Sequence, residues 1–336
     1  VQVLSVGSSP PSQALAVMAE LERQSKLAAD WSWSRAAVIA REWKYLEPIR
    51  AYCEVRGIAA QMADDIPPSV WRLRETQALL AWAREKTLVT ASAITQQLSS
   101  VPNNEWTALL REAADEYALE TGGAELPKEY FIEWLAEWGR EARRRQFGLL
   151  LLTAHRAKGL EFDHVAVLDG GWDQVGREED LDAPRRLYYV AMTRARHTLC
   201  LARLDNGNRM LDALPKMPAI QWRPKAVLPQ PSPLLSRRYE RMRLADVDLG
   251  FAGRSESGAP IHRTIAALSA GSPLSLSFER ERWLLKDSRG LVVGRLAASY
   301  APPKGMTCIA ARVAAIVSWS RADSNPEYQA LHRCDT

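Results

Sequence analysis

Residues 147–171 read FGLLLLTAHRAKGLEFDHVAVLDGG. Two apolar runs, each the length of a buried strand and too short for a helix, close on a charged stretch that holds His155, Arg156, Lys158, Glu161 and Asp163. In an open parallel sheet, ligands meet the loops at the carboxyl ends of the strands, and TAHRAKGLEFDH follows the first run directly. Gly159 allows close backbone approach, Lys158 supplies a point charge suited to phosphate, and Glu161 is an acceptor suited to a hydroxyl pair such as a ribose.

The surrounding chain repeats a strand–helix rhythm. VQVLSV alternates as a strand, and the next segment starts with Pro and places Leu15, Met18 and Leu21 at helical spacing. RAAVIARE contains a short buried strand, and KYLEPIRAYCEVRGI is a helix ended by Gly57. In DAPRRLYYVAMTRARHTLCLARL, Asp182 is an N-cap candidate, Pro184 fits the first turn, Leu187, Val190 and Ala191 form a buried stripe, and TLCLARL alternates as a strand. This is the grammar of an α/β fold with a parallel sheet. From about residue 69 to 145 the pattern is helical, broken at Gly122–Gly123 and Pro127, and reads as an inserted bundle whose Trp residues are core. Beyond Met210 the chain is rich in Pro, and PLSLSFERERWLLKDSRGLVVGRLA then reads as a β-hairpin turning at residues 287–290, with CIAARVAAIVSWSR as a further strand pair.

The expected division is 1–68 and 147–210 for the α/β domain, 69–146 for the helical insertion, 211–235 for a linker and 236–336 for a small β-rich C-terminal module. The net charge of +4 does not by itself mark a nucleic-acid binder. Basic residues nevertheless cluster at Arg140, Arg143, Arg144 and Arg145, and again at Arg237, Arg238, Arg241 and Arg243. Four dispersed cysteines and five dispersed histidines predict neither a zinc site nor a disulfide framework, and they suit a reducing cytoplasm. No apolar run is long enough to span a bilayer. The apolar opening at Val1, with no initiator Met, reads as a piece of a longer polypeptide.

TAHRAKGLEFDHV resembles motif V, and RRLYYVAMTRAR motif VI, of the superfamily 1 helicases of the UvrD/Rep family. Beside these, AAVIARE with KYLEPIRAYCEVRGI resembles the motif IV strand and helix. The likeness spans about residues 1–210 and is strongest over 151–203. It implies the RecA-like second motor domain of an ATP-dependent DNA helicase, a hydrolase that unwinds 3′ to 5′ in repair or recombination. By that resemblance Arg194 is the arginine finger and Arg41 a second γ-phosphate contact, while Glu161 binds the ribose, Gly159 lies beside the nucleotide and Lys158 lies close to its phosphates or to the DNA. Thr153, His155 and Arg156 would then face single-stranded DNA. The implied partners are single-stranded or duplex DNA and an upstream first motor domain of the same polypeptide, with no membrane.

The chain departs from that family in four respects. It has no G-x-x-x-x-G-K-[ST], Ala183 and Pro184 stand where acidic residues are expected, and the insertion is short. No Asp–Glu pair follows a buried strand; Asp64–Asp65 and Glu178–Glu179 lie in polar loops. ATP and Mg²⁺ are therefore expected as cofactors of the full-length protein, none is expected in this fragment alone, and the fragment is expected to be inactive. The alternative is a catalytically inactive, helicase-derived DNA- or protein-binding module. A nuclease reading on Glu42-x-Lys44 and Asp30 lacks further carboxylates.

Overall fold

A computed structural model describes residues 1–336 apart from 143–144, 176–179, 215–216, 225–228 and 325. Arg143, Arg144, Glu178 and Glu179 thus lie outside the described residues. In the first half of the chain the elements are β1 (Gln2–Ser5), α1 (Pro10–Leu27), β2 (Ala36–Ala40), α2 (Trp43–Arg56), β3 (Ala60–Met62), α3 (Arg74–Arg84), β4 (Leu88–Val89), α4 (Ala91–Ser99), α5 (Glu105–Thr121), β5 (Leu126–Pro127) and α6 (Lys128–Ala142). They continue as β6 (Leu149–Thr153), β7 (Phe162–Val167), α7 (Ala183–Met192), β8 (Ala195–Arg203), β9 (Gln221–Arg223), α8 (Pro260–Ala266), β10 (Pro273–Glu279), β11 (Arg282–Lys286), β12 (Val292–Arg295), β13 (Ala311–Arg312) and α9 (Pro326–Gln329). The chain divides into two units, residues 1–65 with 146–240 and residues 66–145 with 241–336.

The first unit is built on a seven-stranded sheet, parallel throughout, in the order β3-β6-β2-β7-β8-β1-β9. Its centre needs no polar face because helices cover both sides. Every residue of β2 is buried, and four of the five in β6 are. On one face Val17, Met18 and Leu21 of α1 and Leu46, Ile49 and Cys53 of α2 pack onto Val38, Leu151 and Ala166. On the other face Tyr188 and Ala191 of α7 join Trp172 and Leu211 against Ile39, Leu152 and Val165. Helix α1 starts where Ser9 accepts the Ser12 N–H and two prolines fill the first turn, and α2 stops at Gly57 in the left-handed region (φ 67°). The expected α/β fold with a parallel sheet is therefore what forms. The Pro-rich stretch read as a linker contributes β9, which pairs with β1 at the edge of the sheet.

In the second unit, α3 to α6 enclose Leu80, Leu110, Tyr117, Phe131 and Leu135. Helix α5 starts from a capping box in which Asn104 accepts the Thr107 N–H and the Thr107 hydroxyl accepts the Asn104 N–H. The C-terminal residues form an antiparallel sheet, β12-β11-β10-β13, in the same unit as these helices. The indole of Trp106 donates to the Ala314 carbonyl (2.8 Å), and Arg72 pairs with Asp323 (2.6 Å). The expected division separates this module (236–336) from the insertion (69–146), whereas the two share one compact unit. The run from Pro273 to Lys286 is two strands, not one, and they turn at Arg280–Glu281, both left-handed (φ 48° and 60°). Of the strand pair expected near the C-terminus, only the two-residue β13 forms.

Among the described residues, four members of the basic clusters are paired. Arg145 binds Glu116, Arg238 binds Glu240 (2.6 Å), Arg241 binds Glu105 (3.6 Å) and Arg243 binds Asp246 (2.9 Å). All four cysteines are free thiols, and burial pushes the Cys53 thiol up to about 12. Among the described residues no helix is long and apolar enough to cross a membrane.

Candidate functional site

Because β2 and β6 are adjacent and parallel with Ala40 opposite Thr153, the residues that leave them meet at the carboxyl edge of the sheet. Arg41 places Nη1 3.3 Å from Nδ1 and 3.4 Å from Nε2 of His155. Arg156 donates from Nη1 to the Ala63 carbonyl just past β3 (3.3 Å), and its guanidinium lies 5.7 Å over the ring of Trp43, the first residue of α2. Thr153 is buried, and its carbonyl accepts the N–H groups of Arg156 and Ala157 (both 3.0 Å), so it shapes the turn that presents His155 and Arg156 to solvent.

The loop after β7 completes this edge. Gly170 and Gly171 have φ of 112° and 72°, and a Cβ on Gly170 would stand 2.4 Å from the Tyr45 ring, so both conformation and crowding demand glycine. Asp169, only 2% exposed, accepts the N–H groups of Gly170 (2.7 Å), Leu204 (2.8 Å) and Asn208 (3.0 Å). The fully buried amide of Gln13 bonds both ways with the Asp169 backbone, at 2.8 and 3.1 Å. The sequence reading missed this hub. An Asp directly after an apolar strand and before Gly-Gly was the available signal.

Glu161 and Arg194 lie elsewhere. They precede β7 and β8, whose first residues Phe162 and Ala195 are paired, and so sit together at the amino edge. The Arg194 carbonyl accepts the Phe162 N–H (2.9 Å), and Glu161 pairs with Arg196 (3.0 Å). The Arg194 side chain donates to the carbonyls of Val190 (2.9 Å) and Leu160 (3.0 Å) and to the Thr193 hydroxyl (3.0 Å), which closes the end of α7. Beside them, Arg35 pairs with Asp163, and Trp31 stacks on His164 at 4.2 Å. Burial holds the His164 imidazole below its usual pKa, against the opposing charge of Asp163.

Lys158 and Gly159 are exposed in the loop that crosses between the two edges. Gly159 is required there by its φ of 85°, with open space where a Cβ would stand. At ~3.3 Å per residue, β7 separates the edges by about 20 Å. Arg41 leaves the carboxyl end of β2, whereas Arg194 precedes the first residue of β8, so the two follow from opposite edges of the sheet. The carboxyl edge offers two guanidinium groups, an imidazole and an indole, a set suited to phosphates and stacked bases. The amino edge offers guanidinium groups and a carboxylate, suited to phosphoryl oxygens and hydroxyls. The sequence pattern Glu42-x-Lys44 is a local ion pair (3.0 Å), and among the described residues no three His, Cys, Asp or Glu side chains group as metal ligands.

The stretch bearing both edges has a family match. Residues 148–202 match the UvrD-like helicase C-terminal domain. The match takes in His155, Arg156, Glu161 and Arg194 but not Arg41. Over 71 residues the chain is 44% identical to the "Putative ATP-dependent DNA helicase YjcD" of Bacillus subtilis (strain 168), an overlap of 18% of this chain and 9% of that protein. The chain therefore spans under a tenth of that curated relative's length. The C-terminal domain of a possible DNA helicase from Lactobacillus plantarum WCFS1 aligns over 66% of this chain and 83% of its own, with 13% identity and a TM-score of 0.34.

Proposed function

We propose that residues 1–65 and 146–240 are the second motor domain of an ATP-dependent DNA helicase of UvrD type, completed by a first motor domain that carries the phosphate loop. The observation that carries this reading is the pairing of β7 with β8, which brings Glu161 and Arg194 to one edge. Arg194 is the arginine finger. Three of the five N–H donors of an arginine are engaged here, and its planar charge suits the equatorial oxygens of a transferring phosphoryl group. Glu161 exchanges Arg196 for the ribose hydroxyls, and Lys158 and Gly159 flank the same nucleotide. Mg²⁺, when bound, neutralises phosphate charge, and this chain's residues are assigned no part in holding it.

The carboxyl edge carries the single strand through His155 and Arg156, with Thr153 shaping their turn. A single loop then touches nucleotide at one end and DNA at the other, so closure on ATP moves the strand contact. On this reading the chain alone turns over no ATP, and the whole protein unwinds 3′ to 5′ in repair or recombination.

The test is unwinding by the full-length protein of duplexes with a 3′ or a 5′ single-stranded tail. The reading expects ATP-dependent unwinding from the 3′ tail, lost in Arg194→Ala. Equal unwinding by wild type and Arg194→Ala would refute it.

A further inference from the structure

The sheet topology separates Arg41 from the nucleotide edge and joins it to the strand edge. We infer that Arg41 and Trp43 are part of the single-strand contact, Arg41 by neutralising a backbone phosphate beside His155 and Trp43 by seating Arg156. This inference rests on the carboxyl edge being the DNA face. Its independent observations are local. Arg41 follows β2 and His155 follows β6, and the Ala40–Thr153 register puts them side by side with Arg41 Nη1 3.3 Å from the imidazole. Trp43 opens α2 at the same edge, where it is half-buried, and Arg156 lies over its ring.

The chemistry follows from that placement. A guanidinium over an indole is held by the ring's quadrupole, and fixing a flexible arginine in advance lowers the entropy lost on binding. Exposed Arg156 is thereby kept as a flat, charged plate on which a nucleobase stacks. Arg41 similarly orients the His155 ring and adds a charge that phosphate can meet. Glu42, just ahead of α2, is engaged by Lys44 at 3.0 Å, which moderates its repulsion of a phosphate. The ligand so recognised is a single-stranded nucleic acid, read through backbone charge and base stacking without sequence preference.

The experiment is binding of a fluorescein-labelled oligothymidylate to the full chain, followed by anisotropy from 50 to 200 mM salt. Lys26→Ala, an exposed residue in the last turn of α1, serves as the control for simple loss of charge. For a single strand, each phosphate contact contributes roughly 0.7 to the slope of log affinity against log salt, so Arg41→Ala should lower the slope by about that amount and Lys26→Ala should not. Trp43→Ala should weaken binding about tenfold, within the range of a lost stacking contact, while Trp43→Phe, which keeps a π face, should stay within about threefold of wild type. Circular dichroism on each variant separates lost binding from lost fold. If His155→Ala weakens binding while Arg41→Ala and both Trp43 variants match Lys26→Ala, this inference falls and the strand face stands. No binding by wild type would overturn both.

Discussion

Replacing Asp169 with Asn tests whether the carboxyl edge is held by a single buried carboxylate. The side chain is 2% exposed, and its oxygens accept three backbone N–H groups from two loops, at 2.7, 2.8 and 3.0 Å. Asn is isosteric, but whichever way it turns, an NH₂ group faces at least one of those donors. A hydrogen bond to a charged group contributes about 1.5–3 kcal/mol, and a buried N–H left without a partner costs about 1–3 kcal/mol. Burying an amide is easier than burying a carboxylate, which offsets part of the loss. The net expectation is destabilisation of about 2–3 kcal/mol, or a melting point lower by roughly 4–12 °C for a domain of this size. Urea and thermal unfolding followed by tryptophan fluorescence measure it, since Trp172 donates to the Leu168 carbonyl beside the hub (2.8 Å). Because the Gly170–Gly171 loop packs on Tyr45 and Glu42, the same variant should weaken single-strand binding. A loss under about 0.5 kcal/mol, the range of an ordinary surface substitution, would refute the assignment of Asp169 as the organiser of this edge.

Other perturbations address the rest of the molecule. Replacing Arg280–Glu281 with Asn–Gly should stabilise the second unit by about 1–2 kcal/mol, because both positions are left-handed; an unchanged denaturation midpoint would count against strain at the turn. Trp106→Ala should cost about 3–5 kcal/mol, as it empties a core position and strips the Ala314 carbonyl of its donor, and guanidinium unfolding reads the loss. Burial pushes the Asp248 carboxyl up, but hydrogen bonds and charge from Arg254 and Arg295 outweigh it and hold the group below its usual value. A carboxyl depressed on folding stabilises above its unfolded value, near pH 4, and that contribution is lost as pH falls through the folded value. Wild-type melting points should therefore drop below about pH 4 more steeply than those of Asp248→Asn, and parallel curves would contradict this.

The parts legible in sequence were those set by local pattern. Continuous apolar runs such as LLLLT specify a strand buried on both faces, and Gly57 and Pro10–Pro11 mark helix ends through backbone sterics that hold in any context. The features that escaped depend on partners far away in the chain. QWR is a strand only because β1 offers an edge to it, and Arg280–Glu281 turns without Gly or Asn because the Phe278–Trp283 and Glu279–Arg282 pairs close the hairpin. The site divides in the same way. Strand pattern put His155 and Glu161 in one loop and the family resemblance singled out Arg194 and Arg41, but only strand register puts Glu161 and Arg194 at one edge and His155 and Arg41 at the other. An Asp after VAVL and before Gly-Gly marks the position of the Asp169 hub, but its acceptor role depends on the ends of β7 and β8 lying side by side.

The division of labour between the two edges is tested most directly by DNA-stimulated ATP hydrolysis in the full-length protein, with Arg194→Ala beside Arg41→Ala. An arginine finger accounts for roughly 10³–10⁵ in turnover, so Arg194→Ala should lower kcat at least a hundredfold at saturating DNA. Arg41→Ala should chiefly raise the DNA concentration needed for half-maximal stimulation, with kcat at saturation reduced less than about tenfold, as for loss of one phosphate contact. Equal collapse of kcat in both variants at saturating DNA would place Arg41 on the nucleotide and contradict the two-edge account.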